Sequence, residues 1–228
     1  MEITSSNNFF SSSQFDLNRK LLVLGCGGHS KEVTEVAEAI GFNDISYLDK
    51  SNDEIFFLGR QIVQKVNENY NGYFFVAIGD NYLREQVYSQ FLIENKLAKC
   101  ITLVHPNSCV SFRCSIGEGT IVMPLSVVNS STKLGKGVII NTSSSIDHDS
   151  NLMDFCSLAP GVNTGGNVSV GMRSAISIGA SIKHGVEIGN DVVVGGSSLV
   201  LEDIEDNCVF YGIPSKYIRR RKLGEKYL

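Results

Sequence analysis

"SIGEGTIVMPLSVVNSSTKLGKGVII", residues 115–140, carries an aliphatic side chain at every sixth position: Ile116, Val122, Val128, Leu134 and Ile140. The step holds back to Val104 and forward to Val200, and of the seventeen positions on it only Thr164 is not aliphatic. Four residues after each stands Ser, Thr, Cys, Val, Ala or Ile. A period of six is neither the helical period nor the alternation of one long strand. It fits a short strand plus a turn, three to a coil. The aliphatic residue then points into a narrow prism, and the small residue fills the next inward slot near a corner. Coils stack by strand hydrogen bonding, at roughly 4.8 Å. Gly117, Gly135, Gly171 and Gly189 follow directly after the aliphatic residue and read as turn positions with unusual dihedrals. Cys114 and Cys156 fall in the small inward slot and read as packing residues.

This pattern resembles the hexapeptide-repeat proteins, which fold as left-handed parallel β-helices, and the resemblance covers about 104–204. Inside the repeat, "SSSIDHDSNL" (143–152) sets His148 between Asp147 and Asp149. His148 is the third residue of its hexapeptide, near a corner. One coil later the same position is Gly166, within "NTGGNV", and one coil further it is His184. The three share one edge in successive layers. A histidine over a glycine, with backbone amides nearby, suits a general base beside an oxyanion donor. His184 reads equally as a substrate contact or a turn residue, and a solvated turn is the plain alternative for His148. Zinc is the sharper rival, because β-helix proteins similar to gamma-class carbonic anhydrases bind it through three histidines. Here the third position is Gly189, and beyond His148 and His184 only His29 and His105 remain. No metal is expected.

A chain of 228 residues holds one large domain or two modest ones. Its formal charge of −4 gives no electrostatic footprint for nucleic acid or anionic membrane. The opening "MEITSSNNFFSSSQFDLNRK" lacks the pattern of a signal peptide, and no apolar run is long enough to span a bilayer. The six cysteines form no CxxC pair. A cytoplasmic protein is the expectation.

The first hundred residues follow a different grammar. Residues 1–19 read as a polar N-terminal tail, 20–102 as a Rossmann-like βαβ domain with a small parallel sheet, and 103–228 as the β-helix with a C-terminal extension. "KLLVLGCGGHSKEVTEVAEAIGF" (20–42) reads as a buried strand, a glycine loop and an amphipathic helix ending at Gly41. "DISYLDK" (44–50) gives a second strand and "YFFVAIGDN" (73–81) a third, before a helix over 81–96. Gly25, Gly27, Gly28 and His29 stand at the mouth of the first strand, where glycines let backbone amides approach phosphates. Ser30 replaces the third glycine of the dinucleotide fingerprint, and Asp49 stands where a ribose-binding acid would. A sheet this short is half a dinucleotide fold. A mononucleotide, or the diphosphate of a nucleotide sugar, fits it better than a nicotinamide; a loop that merely turns the chain is the plain alternative.

"GCGGHS" (25–30), "AIGDN" (77–81), "HPNS" (105–108), "NTSSSIDHD" (141–149) and "YGIPSKYI" (211–218) together resemble the sugar O- and N-acyltransferases related to sialic acid O-acetyltransferase, over roughly 20–218. The resemblance implies acetyl-CoA as co-substrate, a nucleotide-linked amino sugar as partner and a homotrimer with coenzyme A between neighbours. It implies His148 as general base and Asp149 as the acid that raises its basicity, with Asp147 an open alternative; the backbone amide of Gly166, one coil on, is the candidate oxyanion donor. Gly27, Gly28 and His29, then Asp49, Lys50 and Asn81, become substrate-binding residues; Ser157, Ile178 and Gly196 become coenzyme contacts. Lys216 or Arg219 in "SKYIRRRK" could meet coenzyme phosphates, with a solvated basic tail the plainer reading. Three functions stay open: an N-acetyltransferase on a nucleotide-linked amino sugar with the amine at C4, an O-acetyltransferase on a sialic acid or similar hydroxyl, and a non-catalytic nucleotide-sugar-binding or scaffold protein.

Overall fold

The structure is a computed structural model that describes residues 16, 17, 20–67 and 70–227. From Leu103 onward the chain winds as a β-helix whose two-residue strands build three parallel sheets. Val104, Val122, Ile140, Leu158, Ile176 and Val194 pair in series along the first. Val110, Val128 and Ile146 line the second, which Thr164, Ile182 and Val200 continue. Ile116, Leu134, Leu152, Val170 and Ile188 form the third. Their side chains fill the interior as one cluster with Cys156, Val162, Val168 and Ala180. Burying each aliphatic side chain is worth about 1.5–3 kcal/mol.

The small inward residues have a second task. Thr120, Ser126, Thr132, Ser144 and Ser174 each donate a hydroxyl to a corner carbonyl of the next coil, at 2.6–3.0 Å. Each of these bonds ties one coil to the next, so the slot selects hydroxyls as well as small hydrocarbons.

The expected role of Gly117, Gly135, Gly171 and Gly189 needs correction. None has positive φ; the left-handed residue lies two positions later, as at Gly119, Gly137 and Asp191. An added Cβ at Gly117 would stand 2.4 Å from the carbonyl oxygen of Gly135, and one at Gly135 2.4 Å from Asp154 Oδ1. These glycines are set by close approach of the next coil rather than by dihedral freedom.

Before the β-helix lies a six-stranded sheet built from β1 (Leu21–Leu24), β2 (Ile45–Leu48), β3 (Phe56–Phe57), β4 (Arg60–Val63), β5 (Tyr73–Val76) and β6 (Lys99–Cys100), in the order β3-β4-β2-β1-β5-β6. All pairings are parallel except β3 with β4. The β3–β4 hairpin is absent from the sequence reading; it turns at Leu58 and Gly59, both with positive φ. Helix α1 (Gly28–Ile40) buries Val33, Val36 and Ala37 and stops at left-handed Gly41. Helix α2 (Asn81–Glu94) is capped by Asp80, which accepts the Leu83 N–H. It ends two residues short of the expected 96, because Asn95 turns its side-chain amide back to Phe91 O. The expected polar tail lies mostly outside the described residues; of it, Leu17 packs against the core around Phe42.

The sheet domain sits on the first face of the prism and on the corner that leads into that face. Ile121, Met123 and Ile139 join the core of β1 and α1, and Phe155 joins that of Tyr88 and Phe91. Residues 215–220 pair antiparallel with 208–212, so "SKYIRR" is a strand rather than a loose tail, with residues 216–220 exposed. Arg219 pairs with Glu225 at 2.7 Å, and Arg221 is buried with its Nη1 donating to Asp191 O. No helix among the described residues is long and apolar enough to cross a membrane.

Candidate active site

The corner after the second face holds the histidine. Asp149 adopts the left-handed conformation (φ 58°) that this corner shares with Ser131, Asn167 and Gly185 in neighbouring coils, and its Oδ2 lies 2.7 Å from Nδ1 of His148. A carboxylate only accepts, so Nδ1 carries the proton and Nε2 keeps its lone pair. That hydrogen bond, followed by the charge of Asp147, raises the His148 pKa above the ordinary histidine value. Asp147 itself turns away from the ring: its Oδ1 accepts the backbone N–H of His148 and the side-chain amide of Asn129. Asp149 therefore pairs with the base, and Asp147 holds the turn.

Thr164, the one break in the aliphatic series, has its reason here. Its hydroxyl oxygen accepts the backbone N–H of Asp147 at 3.3 Å, tying the histidine turn to the coil below.

The double glycine beneath is also explained. A Cβ on Gly166 would stand 2.7 Å from Cε1 and Nε2 of His148, so the ring occupies the space a side chain would take. A Cβ on Gly165 would stand 2.7 Å from the backbone nitrogen of His184. Gly166 is buried, and its N–H donates to no acceptor among the described residues. The His184 ring lies 6.4 Å from that of His148, tilted by 52°. Sequence spacing thus brings His148, Asp149, Gly166 and His184 to one place. Among the described residues no group of three His, Cys, Asp or Glu side chains could hold a metal ion.

A second feature opens at the carboxyl ends of β1, β2 and β5, a cavity of about 950 Å³. Gly27, Gly28, His29, Asp49 and Lys50 line it, with the Gln86–Gln90–Glu94 face of α2 opposite. Added Cβ atoms at Gly27 and Gly28 would meet nothing within 4 Å. Nothing in the chain itself forbids a side chain there; only a ligand pressed against the backbone would. His29 is held through Nδ1 by Glu32 at 3.2 Å, while its buried Nε2 has no partner among the described residues. Asp49 accepts the Cys26 N–H and the Ser51 N–H and hydroxyl, which fixes the loop mouth. The Cys26 thiol is pushed up to about 11, by burial first and Asp49 second, so it is no nucleophile.

Two expectations fail. Asn81 is fully buried, its side-chain amide donating to Arg173 O and Ser174 O and its Oδ1 accepting from Arg84. It joins helix to prism and cannot reach a substrate. Ser157 lies apart from the other two coenzyme candidates: it sits on the first face against Tyr227, whose ring packs near Ala175 and Val193. Ile178 and Gly196 do meet, at the corner after the first face, where a Gly196 Cβ would lie 3.3 Å from Ile178 Cγ2. The face between that corner and the His148 corner carries Ser145, Asn163 and Ser181.

Arg84 escaped the sequence reading altogether. It is fully buried and spans from α2 to the prism, with nothing in the local sequence to mark it apart from a charge in an amphipathic helix.

Residues 20–91 match the family described as the PglD N-terminal domain. GDP-perosamine N-acetyltransferase of Escherichia coli O157:H7 is 32% identical over 114 residues, 50% of this chain and 51% of that protein, so the chain spans about half the length of this curated relative. Perosamine N-acetyltransferase from Caulobacter crescentus, solved as a histidine-to-asparagine mutant with CoA and GDP-perosamine, is 31% identical; the likeness covers 88% of this chain and 97% of that one, with a TM-score of 0.81. The acetyltransferase domain of PglB from Neisseria gonorrhoeae FA1090, solved with acetyl coenzyme A, is 32% identical over 88% of this chain and all of that one, with a TM-score of 0.82.

Proposed function

Because the chain belongs to the hexapeptide-repeat nucleotide-sugar acyltransferase family, we propose that it transfers the acetyl group of acetyl-CoA to the amino group of a nucleotide-linked amino-deoxysugar, with the amine at C4. The observation that carries this is the His148–Asp149 pair set over Gly166 on a chain that also owns the glycine-mouthed cavity. A scaffold needs no such base.

The sugar amine attacks the thioester carbon, and His148 Nε2 accepts the proton it sheds, a contribution of about 10²–10⁴-fold. Asp149 keeps the other ring nitrogen protonated and steadies the imidazolium. The oxyanion that forms on the former carbonyl meets the unengaged N–H of Gly166, worth roughly 10²–10³ in rate. Collapse breaks the carbon–sulfur bond, and the proton on His148 passes to the departing thiolate. No acyl-enzyme is needed, and Cys156, its thiol pushed up to about 12 chiefly by burial, is sealed in the prism core.

The nucleotide diphosphate lies at Gly27, Gly28 and His29, with Asp49 and Lys50 beside it; coenzyme A runs past Ile178 and Gly196. The working form is a cytoplasmic homotrimer. Its support is that His148 stands on a corner away from the sheet domain, and that Ile178, Leu201 and Tyr217 are exposed apolar side chains needing cover.

Purified protein is to be incubated with acetyl-CoA and a panel of 4-amino and 3-amino nucleotide sugars, with free thiol and product mass followed. Thiol release with a gain of one acetyl on an amine supports the reading. Release only with hydroxyl acceptors supports O-acetylation instead, and no release with any acceptor sinks the enzyme.

A further inference from the structure

Arg84 makes an unusual set of bonds for a charged residue. Its Nε donates to Gly137 O at 2.8 Å, its Nη1 to Ile78 O and Gly79 O at 3.0 Å each, and its Nη2 to Asn81 Oδ1 at 2.7 Å and Phe155 O at 2.8 Å. The fork is spent on backbone carbonyls and one amide, without a carboxylate among its hydrogen-bond partners. Burial pulls its pKa down to about 10, so it remains charged at neutral pH. A buried charge of this kind is costly to desolvate, and apolar side chains of similar volume often serve stability as well or better. Its bonding pattern points to geometry instead.

The geometry is specific. Ile78 and Gly79 lie just beyond β5 and line the cavity, while Gly137 and Phe155 belong to two successive coils of the prism. A single planar group thus bolts a wall of the cavity to the solenoid. Around it the start of α2 is held by further ties: the Asn81 amide donates to Arg173 O and Ser174 O, Tyr227 accepts the Asn81 N–H at 3.0 Å, and Arg173 pairs with Glu85 at 3.0 Å. Of these ties, only Arg84 bonds directly to the cavity wall.

We infer that Arg84 is a positioning residue, which fixes where the sugar end of the bound nucleotide sugar projects from the cavity relative to the prism. This rests on the cavity assignment above. A shift of about 1 Å between reacting groups can cost on the order of 10²-fold in rate without touching the chemistry itself. Losing the fork frees Ile78 O and Gly79 O, and the cavity wall then drifts against the coils. Lysine keeps the charge but offers a point in place of a fork, and cannot serve both sides of the joint.

The test uses Arg84→Met and Arg84→Lys in the full chain, with parent-like circular dichroism and oligomeric state as the entry condition. Each substrate is varied separately, and binding of GDP, UDP and dTDP is measured by calorimetry. The expected result is a kcat lower by roughly ten- to a hundredfold in both variants. KM for acetyl-CoA and Kd for the nucleoside diphosphate should stay within about threefold of the parent, because neither grip is moved. A merely structural residue would lower Tm and leave the turnover of the folded fraction intact. Parent-like kcat in either folded variant overturns the inference, as does a Kd that rises in step with the loss of kcat. If Arg84→Met does not fold, Arg84→Lys alone decides. Absence of nucleoside diphosphate binding in the parent overturns the cavity assignment and this inference with it. Parent-like values in all three proteins overturn the role of Arg84 alone.

Discussion

Asp149 Oδ2 sits 2.7 Å from Nδ1 of His148, and the left-handed backbone of Asp149 is what bends its side chain back onto its neighbour. Aspartate and asparagine tolerate that conformation better than most residues. Asp149→Asn should therefore leave the coil intact while weakening the hydrogen bond to the carboxylate that, ahead of the Asp147 charge, raises the His148 pKa. The base works only when neutral, so activity rises with pH through that pKa. With the carboxylate gone the pKa falls, and the acid limb of the kcat profile should move to lower pH. The plateau should drop by about tenfold or more, since the amide no longer holds the tautomer firmly. An acid limb that stays where it is in the folded variant would dismiss the pairing as the source of the base.

Gly166 is held by the ring above it. An alanine Cβ there would lie 2.7 Å from His148 Nε2, and the histidine is an exposed side chain able to swing away. Gly166→Ala should thus fold and assemble normally but lose roughly tenfold or more in kcat through misplacement of the base. Gly165→Ala meets backbone atoms of His184 instead, which cannot swing, so it should lower Tm. Thermal melts beside kinetics separate the two. Equal loss of stability in both would mean that Gly166 is a packing glycine and nothing more.

Gly28 opens α1 with free space around its missing Cβ. Gly28→Val should change stability by no more than about 0.5 kcal/mol, as at an ordinary surface position. It should raise KM for the nucleotide sugar about tenfold or more, by keeping the diphosphate off the helix N-terminus, with KM for acetyl-CoA unchanged. An unchanged sugar KM would take the diphosphate out of this loop.

The hexapeptide frame was legible because every coil repeats one local contact, so His148, Gly166 and His184 fell on one edge by counting alone. The pairing of Asp149 was not, since it depends on a φ of 58° that the two aspartates do not announce. Asn81 and Arg84 were out of reach for a different reason. Their partners lie 92 and 53 residues away in the chain, at Arg173 and Gly137, and the motif around them looks like a loop mouth. Ser157 failed through its neighbour: the segment after the C-terminal strand brings Tyr227 against it, which nothing in "SKYIRRRK" announces. Thr164 was visible as an exception, but its reason appears only with the Asp147 N–H beside it.

The sheet domain rests on the first face and on the corner leading into it, through Gly137, Phe155 and Arg173, whereas His148 stands on the corner between the other two faces. A sugar held in the cavity is therefore better placed to meet the histidine of a neighbouring copy than that of its own chain. Co-expression of His148→Asn with Gly28→Val tests this. Each variant alone should be nearly inactive at low sugar concentration, one for want of the base and the other for want of the phosphate grip. In mixed oligomers, a cavity from the first and a histidine from the second make a complete site. Activity should reappear at the nucleotide-sugar KM of the parent, to a fraction of parent kcat set by the mixing statistics. A mixture no more active than its two components, with mixed oligomers verified by differential tags, would place each active site within one chain.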